Sequence, residues 1–345
     1  MRILAFLLLI SGSVAAYRMQ QPAALQEPTC AATCGPQEDH RPEARLVFHS
    51  ADGGNTWQNL GKGLSDTMKV SGILAQGSEV YLGIQDGGLF YNPGNGAWEE
   101  LVISSSSPNN CGISAQKKVA GLFPGRNGPY VAVAYGGLFR KAAGPVMWEP
   151  LHEEMKPQMV NYVLETADAL YTCYNSGLYV SYDKGENWKQ LLKGWVNSIT
   201  AKDGVLLAVN FRGVMRSADG GANWECVLSG EDMHFTPGVI HDRFTSICSG
   251  GDIWKAYSEG APLLSSADGK NWERMGQSVP AVGINKIVQA GSYLFISHHT
   301  GISRSADGGK TWELVYAFQT LDDREFLQLS VSGQNVVAAV MRTGC

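Results

Sequence analysis

Charge is scarce in this 345-residue chain. Asp, Glu, Lys and Arg make up 17% of it, and the balance is acidic, at −5. With no basic excess to neutralise phosphates, nucleic acid is excluded as a partner. Beyond the first sixteen residues no run is long and apolar enough to cross a bilayer, so no membrane span is expected. Helical heptads are missing, which removes a helical solenoid. The seven histidines are scattered. Cys30 and Cys34 have the spacing of half a zinc site, but no second Cys/His pair completes it, so no metal and no cofactor are expected.

What is present points to β structure for export. Forty-one glycines and nine tryptophans favour turns and strands. Residues 1–16, MRILAFLLLISGSVAA, have a positive Arg2, an apolar stretch from Ile3 to Ile10 and a small-residue Val14-Ala15-Ala16 end, the pattern of a signal peptide. A secreted or periplasmic location follows. Residues 17–43, rich in Pro, Gln, Ala and Glu, read as a flexible linker. Export makes disulfides possible, and a bond from Cys345 to Cys30 or Cys34 would pin the chain's two ends. Cys173 and Cys248 fall in strands and read as buried free thiols.

Residues 44–345 repeat. SADGGNTW (50–57), SYDKGENW (181–188), SADGGANW (217–224) and SADGGKTW (305–312) share Ser-x-Asp-x-Gly-x-x-Trp, and SADGKNW (266–272) is one residue shorter. YNPGNGAW (91–98) and KAAGPVMW (141–148) keep the tryptophan. Trp57, Trp98, Trp148, Trp188, Trp224, Trp272 and Trp312 are spaced by 41, 50, 40, 36, 48 and 40 residues, a period that implies a radial or stacked repeat. Short Val-, Tyr- and Leu-rich runs precede each turn, among them LLAVNF, YLFIS and IWKAYS. Four strands per unit and seven units predict an all-β, seven-bladed β-propeller. Its N-terminal strands (44–60) would complete the blade begun by the C-terminal ones, which removes two open edges. Asp52, Asp183, Asp219, Asp268 and Asp307 recur on equivalent turns and read as structural turn-formers.

These turns resemble the Asp-box, or bacterial neuraminidase repeat, of sialidases, sortilin-type receptors, certain xyloglucanases and photosystem II assembly factors. The resemblance covers roughly residues 44–345 and implies the propeller scaffold. A sialidase would need an arginine triad and an Arg-Ile-Pro start, whereas the first strand here is RLVFHS, so no catalytic residue carries over. Ligands in such propellers usually sit on the face opposite the repeated turns.

On that face lie the turns between second and third strands, IQDGG (84–88), AYGG (134–137), CYNSG (173–177), VNFRG (209–213), AYSEG (256–260), SHHTG (297–301) and VMRTG (340–344). Unlike the rest of the repeat, they differ chemically. Arg212, Arg342, Tyr135, Tyr174, Asn175 and His298 are the binding candidates, and Glu259, His299 and Asp86 the weak acid/base candidates. The segments 104–112 and 229–243 read as protruding links, with His234, His241 and Asp242 as conceivable metal ligands. The function expected is partner-protein or glycan binding through this face without turnover. The alternative is a glycan-active hydrolase or lyase on the same face, which leaves enzyme status open.

Overall fold

The computed structural model describes residues 45–85, 87–94, 96–101, 104–105, 118–141, 147–155, 158–230, 233–250, 263–275, 283–318 and 325–342. The signal and linker segments, Cys30, Cys34, Cys345, Asp86 and Glu259 lie outside them.

The chain is an all-β propeller built from mainly antiparallel sheets. Four of these are four-stranded blades. Val160–Glu165, Leu170–Tyr174, Gly177–Ser181 and Lys189–Lys193 form the first, and Val196–Lys202, Val205–Asn210, Gly213–Ser217 and Glu225–Leu228 the second. Met233–Ile240, Arg243–Gly250, Leu263–Ser266 and Glu273–Arg274 form the third, and Lys286–Ala290, Tyr293–His298, Gly301–Ser305 and Glu313–Ala317 the fourth. A fifth blade, 119–151, carries Ser104–Ser105 as an added edge strand, parallel to Met147–Leu151.

The remaining strands correct the expectation of seven separate blades. They form one eight-stranded sheet, so the described residues give five separate blades plus this larger unit. Val47–Ser50 lies antiparallel on Asn335–Arg342, with Phe48 opposite Ala338. Glu325–Ser332 pairs along the other edge, and beyond Val47–Ser50 Met341 pairs in parallel with Val70. That pairing continues the hydrogen-bonded ladder into Val70–Gln76, Glu79–Ile84, Leu89–Asn92 and Glu99–Leu101. The tryptophan period counts turns, and it is blind to a ladder that joins two runs of strands.

Two further expectations change in the 233–274 blade. Residues 233–240 are a strand, not part of a protruding link. The second strand is Arg243–Gly250, not IWKAYS, which lies outside the described residues. His234 and the His241–Asp242 turn are thereby set at opposite ends of a strand, roughly 20 Å apart at about 3.3 Å per residue, and cannot share a metal. Among the described residues no cluster of three His, Cys, Asp or Glu forms, and no helix is long and apolar enough to cross a membrane.

The core lies between neighbouring sheets. Leu74, Tyr81 and Leu89 of the large sheet pack on Val131, Phe139 and Trp148 of the next blade. Leu178 and Val180 pack on Ile199 and Leu206, and Ile302 and Phe295 on Leu327 and Leu329. Each such side chain contributes about 1.5–3 kcal/mol on burial. Cys173 is a buried free thiol, its ionisation pushed up by burial, and Cys226 is free and exposed.

The repeated turns use their polar groups on themselves. In the 217–224 copy, Ser217 Oγ donates to Asp219 Oδ1 at 2.7 Å and accepts from Gly221 N. Asp219 Oδ1 also takes Asn223 N at 2.9 Å, and Oδ2 takes Asn223 Nδ2 at 2.8 Å. The same pattern holds at Asp52, Asp183, Asp268 and Asp307.

Candidate functional site

The turns between second and third strands owe their shape to glycine. A Cβ on Gly213 (φ +120°) would sit 2.0 Å from the Leu228 carbonyl oxygen, and one on Gly301 (φ +148°) 1.9 Å from that of Tyr316. Only glycine lets the third strand start this close to the end of the fourth, and the residues just before it are turned outward. In the 196–228 blade those residues are Phe211 and Arg212. The turn is held by Arg212 N donating to Asn210 Oδ1 at 2.8 Å.

The expected site residues separate into two groups. Tyr135, Asn175 and Arg212 are exposed, and His299 is half-buried. Tyr174 and His298, at 1% and 2% exposure, belong to the interior. Tyr174 meets the rings of His152 and Tyr179 edge-on, and His152 stacks on Trp188 at 4.4 Å. Burial lowers the His152 pKa to about 4. His298 lies within hydrogen-bond distance of Ser303 Oγ (2.8 Å) and Thr300 Oγ1 (3.1 Å), and burial, then the neighbouring His299, lowers it to about 4 as well. Arg342 is engaged, donating from Nε to Glu325 Oε1 at 2.8 Å and from Nη1 to the Asp66 carbonyl.

Of the residues that join up on this face, Asn175 and Arg212 were expected, whereas Trp195, Phe211 and Asn161 were not singled out from the sequence. Trp195, on the link between two blades, stacks on Phe211 of the following blade with centroids 4.5 Å apart and planes 23° apart. Phe211 is 84% exposed. Asn161 ties the link to the preceding blade, its Nδ2 donating to Val196 O at 2.9 Å and to Asn175 Oδ1 at 3.1 Å. Both Asn161 and Asn197 stand at irregularities where the first strand skips a partner, between Val160 and Tyr162 and between Val196 and Ser198. Such bulges re-aim side chains. The sequence did hold one signal, because Trp195 stands outside the tryptophan period.

On the opposite face a cleft of about 780 Å³ runs between the 119–151 and 160–193 blades. Its charged groups are largely spoken for. Arg140 pairs with Glu149 at 2.9 Å, and Lys141 Nζ donates to the Tyr81 hydroxyl at 3.1 Å. Glu165 accepts from Arg126 N.

No family model matches the chain, and no curated protein matches it. Solved structures do. YCF48 from Cyanidioschyzon merolae is similar with a TM-score of 0.55 and 15% identity, over 79% of this chain and 94% of that one. YCF48 bound to D1 peptide gives 0.52 at 16% identity, over 79% and 93%. An ancestral GH74 enzyme gives 0.53 at 14% identity, over 80% of this chain and 49% of the other. At these identities the likeness shows the β-propeller scaffold.

Proposed function

We propose that this chain is an exported binding propeller, without turnover of its own, that takes a partner protein or a glycan on the face made by the second-to-third-strand turns and the inter-blade links. One observation carries the reading. The repeated Ser-x-Asp turns satisfy their polar groups internally, whereas this face sets out Tyr135, Asn175 and the Trp195–Phe211 stack beside Arg212. Exposed aromatics beside an arginine have the composition of binding hot spots. The scaffold is compatible with both ligand classes, since one solved propeller of this kind is bound to a peptide and another is a GH74 enzyme. The hydrolase alternative leans on Asp86 and Glu259, outside the described residues.

A photo-crosslinking amino acid placed at 135, at 211 and, on the opposite face, at 182 tests the choice of face. Crosslinks from 135 or 211 in the source extract, competed by unlabelled protein and absent from 182, are expected. Crosslinks from 182 alone would overturn it.

A further inference from the structure

The face proposed above contains one place with a specific recognition chemistry. Stacking covers one side of the Phe211 ring with Trp195 and leaves the other to solvent, as the 84% exposure requires. The result is a flat apolar plate about one six-membered ring wide. Around it the side chains are amides and a guanidinium. Asn175 and Asn161 are linked to each other and to the Trp195–Val196 link, Asn197 follows Trp195 in the chain, and Arg212 follows Phe211. Neither the Arg212 guanidinium nor the Asn197 amide has a partner among the described residues, and both residues are exposed. Among the described residues no carboxylate pairs with any of these groups.

We infer that Trp195 and Phe211, edged by Asn161, Asn175, Asn197 and Arg212, form a sugar-binding platform for a glycan of pyranose rings with equatorial hydroxyls. This rests on the binding-face reading and goes further by fixing the ligand class. A pyranose with equatorial hydroxyls has an apolar face of axial C–H groups, which matches the open ring, and a rim of hydroxyls, which matches amide and guanidinium donors and acceptors. A protein partner would call for a wider apolar core, because stable interfaces bury about 1,200 Å² or more. Here the plate is a single stacked pair. Among the described residues of this face the next exposed aromatic, Tyr135, lies two blades away, with the asparagine-bearing turn between them. The turn and the link that carry the plate are braced before binding, by Arg212 N donating to Asn210 Oδ1 and by the Asn161 bridge to Val196 O, which limits the ordering cost.

The purified chain is applied to an array of neutral, uronate-containing and sialylated oligosaccharides, and hits are titrated by tryptophan fluorescence. Binding to oligosaccharides of equatorially hydroxylated pyranose rings is expected. Phe211→Ala and Trp195→Ala should each weaken it at least tenfold, Phe211→Trp should retain it, and Tyr182→Ala on the far face should leave it unchanged. Circular dichroism checks that each variant folds. Absence of any signal, or binding that ignores Phe211→Ala, would overturn the platform. A protein crosslinked from position 211 without any glycan signal would overturn the sugar assignment while leaving the binding face standing. Failure of the face itself shows separately, as crosslinks from 182 alone.

Discussion

Arg216 reaches from its own blade into the next, donating from Nε to the main-chain carbonyl of Asp268 at 2.9 Å, while its Nη1 pairs with Glu225 at 3.1 Å. The arrangement recurs. Arg140 donates to the Lys184 carbonyl at 2.8 Å and pairs with Glu149. Arg304 donates to the Gly53 carbonyl and to Asn55 Oδ1, and pairs with Glu313. In each case arginine and glutamate are cross-strand partners, and the carbonyl belongs to a turn in the following sheet. The guanidinium thus adds a polar link between neighbouring sheets to their apolar packing, beside others such as Lys270–Glu225.

Arg216→Met tests that coupling. The aliphatic stem is kept, the charged hydrogen bond to Asp268 is lost, and Glu225 retains Lys270 at 2.9 Å. A hydrogen bond to a charged group contributes about 1.5–3 kcal/mol, whereas an exposed ion pair contributes about 0–1. Arg216→Met should therefore lower stability by about 1.5 kcal/mol or more in urea unfolding, and Glu225→Gln by clearly less. Equal losses would place the energy in the ion pair.

The sequence made the strands, the period and the internal bonding of the Ser-x-Asp turns readable, because each is a local property of a few consecutive residues. The arginine clamp was also spelled out, as Arg-Ser (Arg-Lys at 140–141) before the turn and Trp-Glu after it, but its acceptor is supplied by another sheet. Strand parity misled at the binding face. Tyr174 and His298 end their strands with side chains turned to the interior, and the next residues, Asn175 and His299, are more open to solvent. Phe211 and Trp195 meet only because the link and the turn belong to one blade edge, a proximity invisible to spacing. The Met341–Val70 ladder depends in the same way on how two strands lie in space.

Acid should unfold the protein through the repeated turns. Asp52, Asp183 and Asp219 have pKa values lowered to about 2, first by the backbone N–H of Thr56, Asn187 and Asn223 and next by the same residues' side chains. Asp268 and Asp307 are lowered too. A depressed carboxylate stabilises the fold above its unfolded value near 3.9 and loses that contribution as pH falls toward 2. Melting temperature should drop steeply below about pH 4, and Asp219→Asn should make that descent shallower.

A milder decline should begin earlier, from two histidines. His152 and His298 are both lowered to about 4, with burial as the leading cause. The unfolded chain binds their protons near pH 6.5, so their stabilisation is complete above that value and is lost between about 6.5 and 4. His152→Phe keeps a ring against Trp188 and removes one titrating group. Its melting temperature should be flatter than wild type across that window and should rejoin the wild-type descent below pH 4. An unchanged slope would mean that His152 takes up its proton without opening the ring cluster.

The indoles of the repeat divide into bonded and unbonded members, which allows a paired test. Trp224 Nε1 donates to Gly221 O at 3.0 Å, and Trp188 and Trp312 do the same to Gly185 and Gly309. Trp272 Nε1, in the copy that is one residue shorter, is buried without an acceptor, as is Trp57 Nε1 in the full-length 50–57 copy. Trp224→Phe should lose both ring area and a hydrogen bond of about 1 kcal/mol and leave the Gly221 carbonyl unmet. Trp272→Phe loses ring area but also relieves a stranded donor, so its cost should be smaller by about 1–2 kcal/mol. Urea midpoints for the two variants decide it. If both lose equally, the rings act through packing alone and the indole N–H contributes nothing to closing the turn.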